Sequence, residues 1–337
     1  MNDKTKIAVI GSGAIGGITA AFLSRKYDVQ IVCKYEERAK QVREAGLHII
    51  GVRGEHHIKM DAVAEIEQLS SKKDVIFVVT KTYDMPDAAR RALPFLKKDG
   101  RMVSMQNGIC VDAMADIAGA ERTVGCVIGW GCTMLDGGVL NMTSEGDFVI
   151  GGARPDADVT DIKALLDTVM KTRISEDIKA DLYSKMIINA CITSMGVMSG
   201  LSLGQMLKKR RARNIFINII REAMAVADKM GIKVPPFADK LDYYSLIAGN
   251  GIIARCKRHI IIRIVGIKYR RLKSSSLQSL RRGKPTEIDY FNGYIARVGA
   301  ELGVDTPINT HIVAVIKKIE SGVLKTDPVN LEDEGLG

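Results

Sequence analysis

The segment Gly11-Ser12-Gly13-Ala14-Ile15-Gly16 constrains this chain more than any other, because of what flanks it. It follows the apolar run Lys6-Ile7-Ala8-Val9-Ile10 directly and opens a helical pattern over Ala14 to Lys26. A second β-branched run, Val29-Gln30-Ile31-Val32-Cys33, comes next. A GxGxxG is weak evidence alone; between a strand and a helix in a βαβ unit it is a pyrophosphate-binding turn. Gly11 permits the sharp turn, Gly13 lets backbone approach the phosphates, and Gly16 lets helix pack close to strand. The N–H groups and positive dipole end of the helix then face the anion.

The alternation continues. A helix is expected near Glu36 to Ala45, a strand or hairpin pair over Leu47 to Lys59, and a buried strand at Asp74 to Thr80. A helix around Met85 to Leu96 leads to a strand at Arg101 to Met105. Two β-rich pieces, Thr123 to Met134 and Gly138 to Ile150, precede a helix from Thr160 to Met170. Such alternation specifies an α/β domain with a largely parallel sheet. After Ser175 strands almost vanish, and helical periodicity dominates Asp177 to Val197, Ala212 to Met230, Tyr290 to Glu301 and Asn309 to Glu320. With 337 residues, two domains are expected: 1–174, which binds the dinucleotide, and 175–330, which is all-α. The polar tail after Asp327 reads as frayed.

Composition removes other classes. Apolar residues at 46% and charged residues at 26% are ordinary for a globular chain, and no apolar run reaches the length of a membrane span. Met1-Asn2-Asp3-Lys4-Thr5-Lys6 lacks the pattern of a secretory signal, so a cytoplasmic protein is expected. The six cysteines form no CxxC and no metal-ligand spacing, and His56-His57 read as surface residues; no metal is expected. The net charge of +10 is local: eleven Lys and Arg and no Asp or Glu lie between Arg255 and Thr286. That stretch admits three readings: a solvated helical face that steers anions, a membrane-surface element, or a nucleic-acid patch. Tyr269 is its only aromatic, which favours the first. Neither a nucleic-acid partner nor a stable membrane association is expected.

The end of the second strand selects the cofactor. NAD-binding enzymes place an acidic residue there; this chain has Cys33 and then Lys34, and Lys81 follows the strand Val75 to Val79. Two lysines on a 2′-phosphate would favour NADPH over NADH by roughly two to four powers of ten. Glu36 and Glu37 are the counter-argument, since either could grip a ribose. Three further features suit chemistry. Gln106-Asn107-Gly108 follows a strand at the carboxyl edge of the sheet, where ligands of open α/β folds collect. Lys185 and Asn189 share a helix face, with Thr193 one turn on. Met186, Ile187, Ile188 and Ile192 surround that lysine, which would lower its pKa if the side chain stays inside rather than snorkelling out.

These features together resemble the ketopantoate reductase (2-dehydropantoate 2-reductase) family. The glycine loop, Gln106-Asn107-Gly108, Lys185-x-x-x-Asn189, and Ser274-Ser275-Ser276-Leu277-Gln278 leading to Pro285-Thr286-Glu287-Ile288-Asp289-Tyr290-Phe291-Asn292-Gly293 cover nearly the whole chain. The resemblance implies a Rossmann-type domain followed by a helical domain like the C-terminal domain of 6-phosphogluconate dehydrogenase. It also implies NADPH-dependent reduction of ketopantoate to pantoate, in pantothenate and coenzyme A synthesis. By that resemblance Lys185 is the proton donor, typically worth about 10²–10⁴-fold. Asn189 and Thr193 contact the substrate, Ser275 binds its carboxylate, Glu287 tunes Lys185 and contacts cofactor or substrate, and Asn107 bridges the two. Gly11 to Gly16, Lys34 and Lys81 hold the cofactor. One departure stands out: Thr193 occupies a place where the family commonly has asparagine, and a hydroxyl replaces one amide hydrogen bond but not two. The rival readings are a reductase of another 2-oxo acid, an opine-type dehydrogenase, and a NADPH-binding sensor without turnover. The working form is expected to be a monomer or homodimer.

Overall fold

A computed structural model describes residues 5–337. Met1 to Lys4, on which most of the signal-sequence reading rests, lie outside the described residues. The chain divides into two compact units, Met1–Leu182 and Tyr183–Gly337. The division falls inside a helix, past the 174/175 junction expected from sequence.

In the first unit, continuous apolar runs form strands buried on both faces, as a parallel sheet covered by helices demands. The strands in chain order are β1 (Lys6–Ile10), β2 (Asp28–Val32), β3 (Leu47–Gly51), β4 (His56–Ile58), β5 (Asp61–Val63) and β6 (Lys73–Val78), followed by β7 (Leu96–Ser104), β8 (Thr123–Ile128), β9 (Gly131–Met134), β10 (Leu140–Ser144), β11 (Phe148–Gly152) and β12 (Thr172–Ile174). Eight of them build the main sheet in the order β12-β11-β8-β7-β6-β1-β2-β5, parallel except where β11 runs against β8. Its register aligns Ile10 with both Val32 and Val78, and Val78 with Ser104. The loops after β1, β2, β6 and β7 therefore open side by side on one edge of the sheet, with the strand order reversing between β1 and β6.

The expected hairpin at Leu47 to Lys59 is β3 and β4, but it belongs to a second, four-stranded sheet in the order β4-β3-β10-β9. Helix α1 (Ala14–Leu23) packs against strands of both sheets and is buried from Gly16 to Leu23. The two layers approach so closely that a Cβ on Gly17 would stand 2.6 Å from Leu140. Helices α2 (Glu36–Glu44), α3 (Met85–Ala92), α4 (Val111–Ala118) and α5 (Thr160–Leu166) complete the layers. The start of α6 (Ile178–Ser199) belongs here too: Ile178 and Leu182 pack with Val111, Val127 and Val149.

The second unit is helical, as expected, with α7 (Leu203–Lys208), α8 (Arg210–Met230), α9 (Tyr243–Ile247), α10 (Ile252–Lys268), α11 (Ser275–Arg281), α12 (Asn292–Leu302) and α13 (Pro307–Glu320). Gly231 and Gly303 end α8 and α12 in the left-handed conformation that favours glycine. The tail after Asp327 corrects the sequence reading, for it is ordered. Leu331 and Leu336 are fully buried as it packs on α8 and α13, and Asn330 donates to the carbonyls of Met198 and Lys325 at 2.9 Å each. Arg211 holds it from α8, donating to the carbonyls of Leu331, Asp333 and Gly337. No helix among the described residues is long and apolar enough to cross a membrane.

Candidate functional site

The glycine loop has the form its spacing demands. Gly11 has φ +114°, and a Cβ there would stand 2.9 Å from the Val79 carbonyl oxygen; one on Gly16 would stand 1.9 Å from the Gly11 oxygen. Gly13 differs, because a Cβ there would meet nothing within 4 Å. That position faces open space in front of the first turn of α1, where Ala14, Ile15 and Gly16 carry backbone N–H groups that no earlier helical turn can satisfy. The Ser12 hydroxyl donates across to the Cys33 carbonyl at 3.4 Å, tying the loop to the end of β2.

Lys34, just beyond β2, is exposed and holds φ 72°, an uncommon conformation for a lysine. Lys81, half-buried, begins the turn after β6. Arg38, which the sequence reading passed over, is a third cation at this edge. Its guanidinium donates to Gln41 and to the Gly138 carbonyl, its Nε is buried with no partner among the described residues, and burial lowers its pKa. Glu36 is engaged by Arg43 at 2.5 Å, which weakens its claim on a ribose.

Gln106 is a strut. Its side-chain amide donates to the carbonyls of Val78 (2.7 Å) and Thr80 (3.4 Å), while Ser104 donates to its oxygen at 2.7 Å. The buried Thr82 hydroxyl donates to the Asn107 carbonyl at 3.0 Å. The loops after β6 and β7 are thus pinned to each other, with the Asn107 side chain left at the exposed edge.

In the second unit, α6 places Lys185, Asn189 and Thr193 on one face. Lys185 and Asn189 are half-buried and Thr193 is buried. Neighbouring anchors fix this stretch: Tyr183 donates to the Ala223 carbonyl (2.7 Å), Ser184 to that of Pro235 (2.9 Å), and Tyr243 to that of Ser184 (2.6 Å). The Lys185 ammonium lies 5.8 Å from the centre of the Phe237 ring, and desolvation by burial lowers its pKa to about 8. It remains mostly protonated at neutral pH but yields its proton far more readily than a surface lysine. Phe237, Ser184 and Tyr243 were not singled out in the sequence, where up to 59 residues separate the bonded partners and no local pattern links them.

Thr193 donates its hydroxyl to the Asn189 carbonyl at 2.6 Å, so it offers a ligand only lone pairs. Its own carbonyl accepts from Ser274 Oγ at 2.9 Å, which joins the serine run to α6. The three serines divide the work: Ser274 is buried and caps α11, Ser275 is exposed, and Ser276 is buried with no partner for its hydroxyl among the described residues. Glu287 is buried next to Thr286, whose N–H and hydroxyl both donate to Glu320 at 2.7 Å. The substrate candidates of the sequence reading thus lie in the helical unit, apart from Asn107, and the cofactor candidates lie in the sheet unit, apart from Glu287.

Residues 7–155 match the family described as Ketopantoate reductase PanE/ApbA, and residues 177–320 match its C-terminal domain. Among curated proteins, the chain is 26% identical over 329 residues to a 2-dehydropantoate 2-reductase of Aquifex aeolicus, covering 95% of this chain and 98% of that one. It is 25% identical to one of Pyrococcus abyssi, covering 94% and 98%. In structure it is similar to a PanE/ApbA family ketopantoate reductase of Ralstonia eutropha, with TM-score 0.81, 23% identity and coverage of 94% and 99%. A D-mandelate dehydrogenase in ternary complex with NADH and anilino(oxo)acetate shares the fold at TM-score 0.80 and 20% identity, covering 95% and 99%. With both halves of one family matched in order along the chain, this protein is an oxidoreductase-type member of the ketopantoate reductase PanE/ApbA family.

Proposed function

We propose that the protein is an NADPH-dependent reductase that converts ketopantoate to pantoate, working in the cytoplasm in pantothenate and coenzyme A synthesis. The observation that carries this reading is Lys185: an ammonium with pKa lowered to about 8, on the same helix face as Asn189. A ketone is a poor hydride acceptor until its oxygen is stabilised, and an acid of this strength is matched to that task near neutral pH.

The sheet unit fits a dinucleotide, since of the three fingerprint glycines only Gly13 has open space where a Cβ would stand. Gly11 to Gly16 would hold the pyrophosphate, Lys34 and Lys81 the 2′-phosphate, and Asn107 the region near the reacting end. When bound, NADPH supplies the hydride. Lys185 donates its proton to the substrate oxygen as negative charge grows there, then recovers one from water. Asn189 and Ser275 orient the 2-oxo acid through its hydroxyl and carboxylate, and Glu287 contacts the cofactor or the substrate.

Thr193 favours a second reading within the same chemistry. Its donor is spent on Asn189, so a polar group that an asparagine would bind is less well held here, and a different 2-oxo acid fits that change. The D-mandelate dehydrogenase with the same fold was solved with an oxo-acid ligand, in keeping with such variation. Initial rates of NADPH oxidation with ketopantoate, with bulkier and aromatic 2-oxo acids, and with added amino acids separate these readings. A kcat/KM for ketopantoate below that of another oxo acid would overturn the first, and an amino-acid requirement would make the enzyme an opine-type dehydrogenase.

A further inference from the structure

Helix α10 breaks the usual amphipathic pattern, although Ile262 is buried. It exposes Ile253 (86%), Ile260 (59%), Ile264 (57%) and Ile267 (64%), yet buries Arg258 (4%). The buried guanidinium donates to the carbonyls of Ile247, Ala248 and Gly249, closing the end of α9. Of the basic residues of α10, Arg258 alone turns inward, toward α8, where a carboxylate partner would be expected.

The facing side of α8 offers none, since its two carboxylates are engaged elsewhere: Glu222 accepts from the Ile308 and Asn309 N–H groups, and Asp228 from the Tyr244 hydroxyl. Arg210, Asn214, Asn218 and Arg221 recur at intervals of four, four and three, so they share one face. With Arg255, Arg258, His259 and Asn250 they line a cavity of about 430 Å³. Among the described residues no Asp or Glu lines it; Ile217 and Gly337 complete the wall, and the Gly337 carbonyl accepts from Arg211. Two more arginines reinforce the charge. Arg213, buried, donates from Nε to His259 Nδ1 at 3.2 Å, and Arg263 lies near it. Burial first, and neighbouring arginines second, lower the pKa values of Arg213, Arg258 and His259. With Nδ1 accepting from Arg213, His259 is neutral and presents Nε2–H as one more donor.

We propose that the cleft between α8 and α10 binds a small polyanion of the phosphate class, one carrying two or more phosphoryl charges. Guanidinium forks converging from two helices match phosphate oxygens, and the amides of Asn214, Asn218 and Asn250 supply neutral donors around them. No Phe, Tyr or Trp lines the cavity, so it lacks the broad platform on which nucleic-acid bases would stack. Repulsion among the arginines, otherwise a standing cost to the fold, is what such a ligand offsets.

The test uses the full chain saturated with NADP, so that the glycine loop is already filled, with inorganic pyrophosphate as the probe in calorimetric titration at fixed ionic strength. The double variant Arg221→Gln/Arg255→Gln removes two exposed side chains. The wild type is expected to bind one equivalent saturably, weakening as salt rises, and the variant to bind it at least roughly tenfold more weakly. The ligand-free variant should melt at the same or a higher temperature, because a repulsion is removed, and its probe-induced rise in melting temperature should disappear. Equal binding by both proteins overturns the proposal, as does no saturable binding by the wild type. So does a ligand-free variant that melts lower, which would mean the arginines are structural. Binding confined to an RNA oligonucleotide or phosphatidylserine vesicles also overturns it.

Discussion

If Lys185 delivers the proton, reduction must fail as the ammonium is lost. Burial lowers its pKa from the ordinary 10.5 to about 8, so roughly nine-tenths of the enzyme carries the proton at pH 7 and roughly one-tenth at pH 9. The sign follows from the role: kcat for reduction, with hydride transfer rate-limiting, should be flat below about pH 7 and fall about tenfold per unit above about 8. Oxidation of the hydroxy acid needs the neutral amine, so its rate should rise through the same pH. Lys185→Ala should lower turnover by about 10²–10⁴-fold and abolish both limbs, with NADPH affinity nearly unchanged. Phe237→Ala, by admitting water around the ammonium, should move the break upward toward 10.5. The assay is stopped-flow NADPH absorbance from pH 6 to 10, with a deuterated cofactor to confirm that hydride transfer limits the rate. A wild-type profile flat to pH 9.5, or one whose break survives in Lys185→Ala, refutes the assignment.

Three other outcomes are expected. Gly13→Ala should fold normally and bind NADPH more weakly, whereas Gly16→Ala, whose Cβ would meet the Gly11 carbonyl oxygen, should lower the melting temperature sharply; thermal melts and fluorescence titration compare them. Neutralising Lys34 and Lys81 together should cut the NADPH-over-NADH ratio of kcat/KM by roughly two to four powers of ten, and an unchanged ratio would place the 2′-phosphate elsewhere, with Arg38 the nearest alternative. Lys185→Met should stabilise the inactive protein by roughly 3 kcal/mol at neutral pH. The folded wild type has a depressed lysine pKa, so its penalty is full below about pH 8 and fades toward 10.5; urea melts should show the gain at pH 7 shrinking to roughly a quarter at pH 10.

What the sequence made legible is what depends on neighbours in the chain. The turn at Gly11, the helix that opens at Ala14, and the shared face of Lys185, Asn189 and Thr193 follow from spacing alone. The second sheet does not, because β10 pairs in parallel with β3 from about 90 residues away, and alternation within a strand says nothing about its neighbour. The tail was misread for a related reason. Leu331 and Leu336 are isolated apolar residues among acids, and only the surfaces of α8 and α13 reveal where they go. The surroundings of Lys185 were likewise hidden: the ring of Phe237 and the hydroxyl of Tyr243 arrive from a loop and a short helix with no periodicity to announce them. Ten of the eleven basic side chains between Arg255 and Thr286 are exposed, as a solvated face requires, and Arg258 alone turns inward; charge totals do not tell which one will.

One small contact governs how the proposed substrate region can diverge. Gly196 lies against Ser274 so tightly that a Cβ there would come within 2.5 Å of the serine's own. The serine run is therefore seated directly on the α6 backbone, one turn beyond Thr193. Substituents at 196 would lever Ser275 and the helix apart together, so selectivity cannot be retuned by enlarging that wall. Changes that suit a new acid have to come from side chains already projecting from the face, which makes position 193 the natural dial.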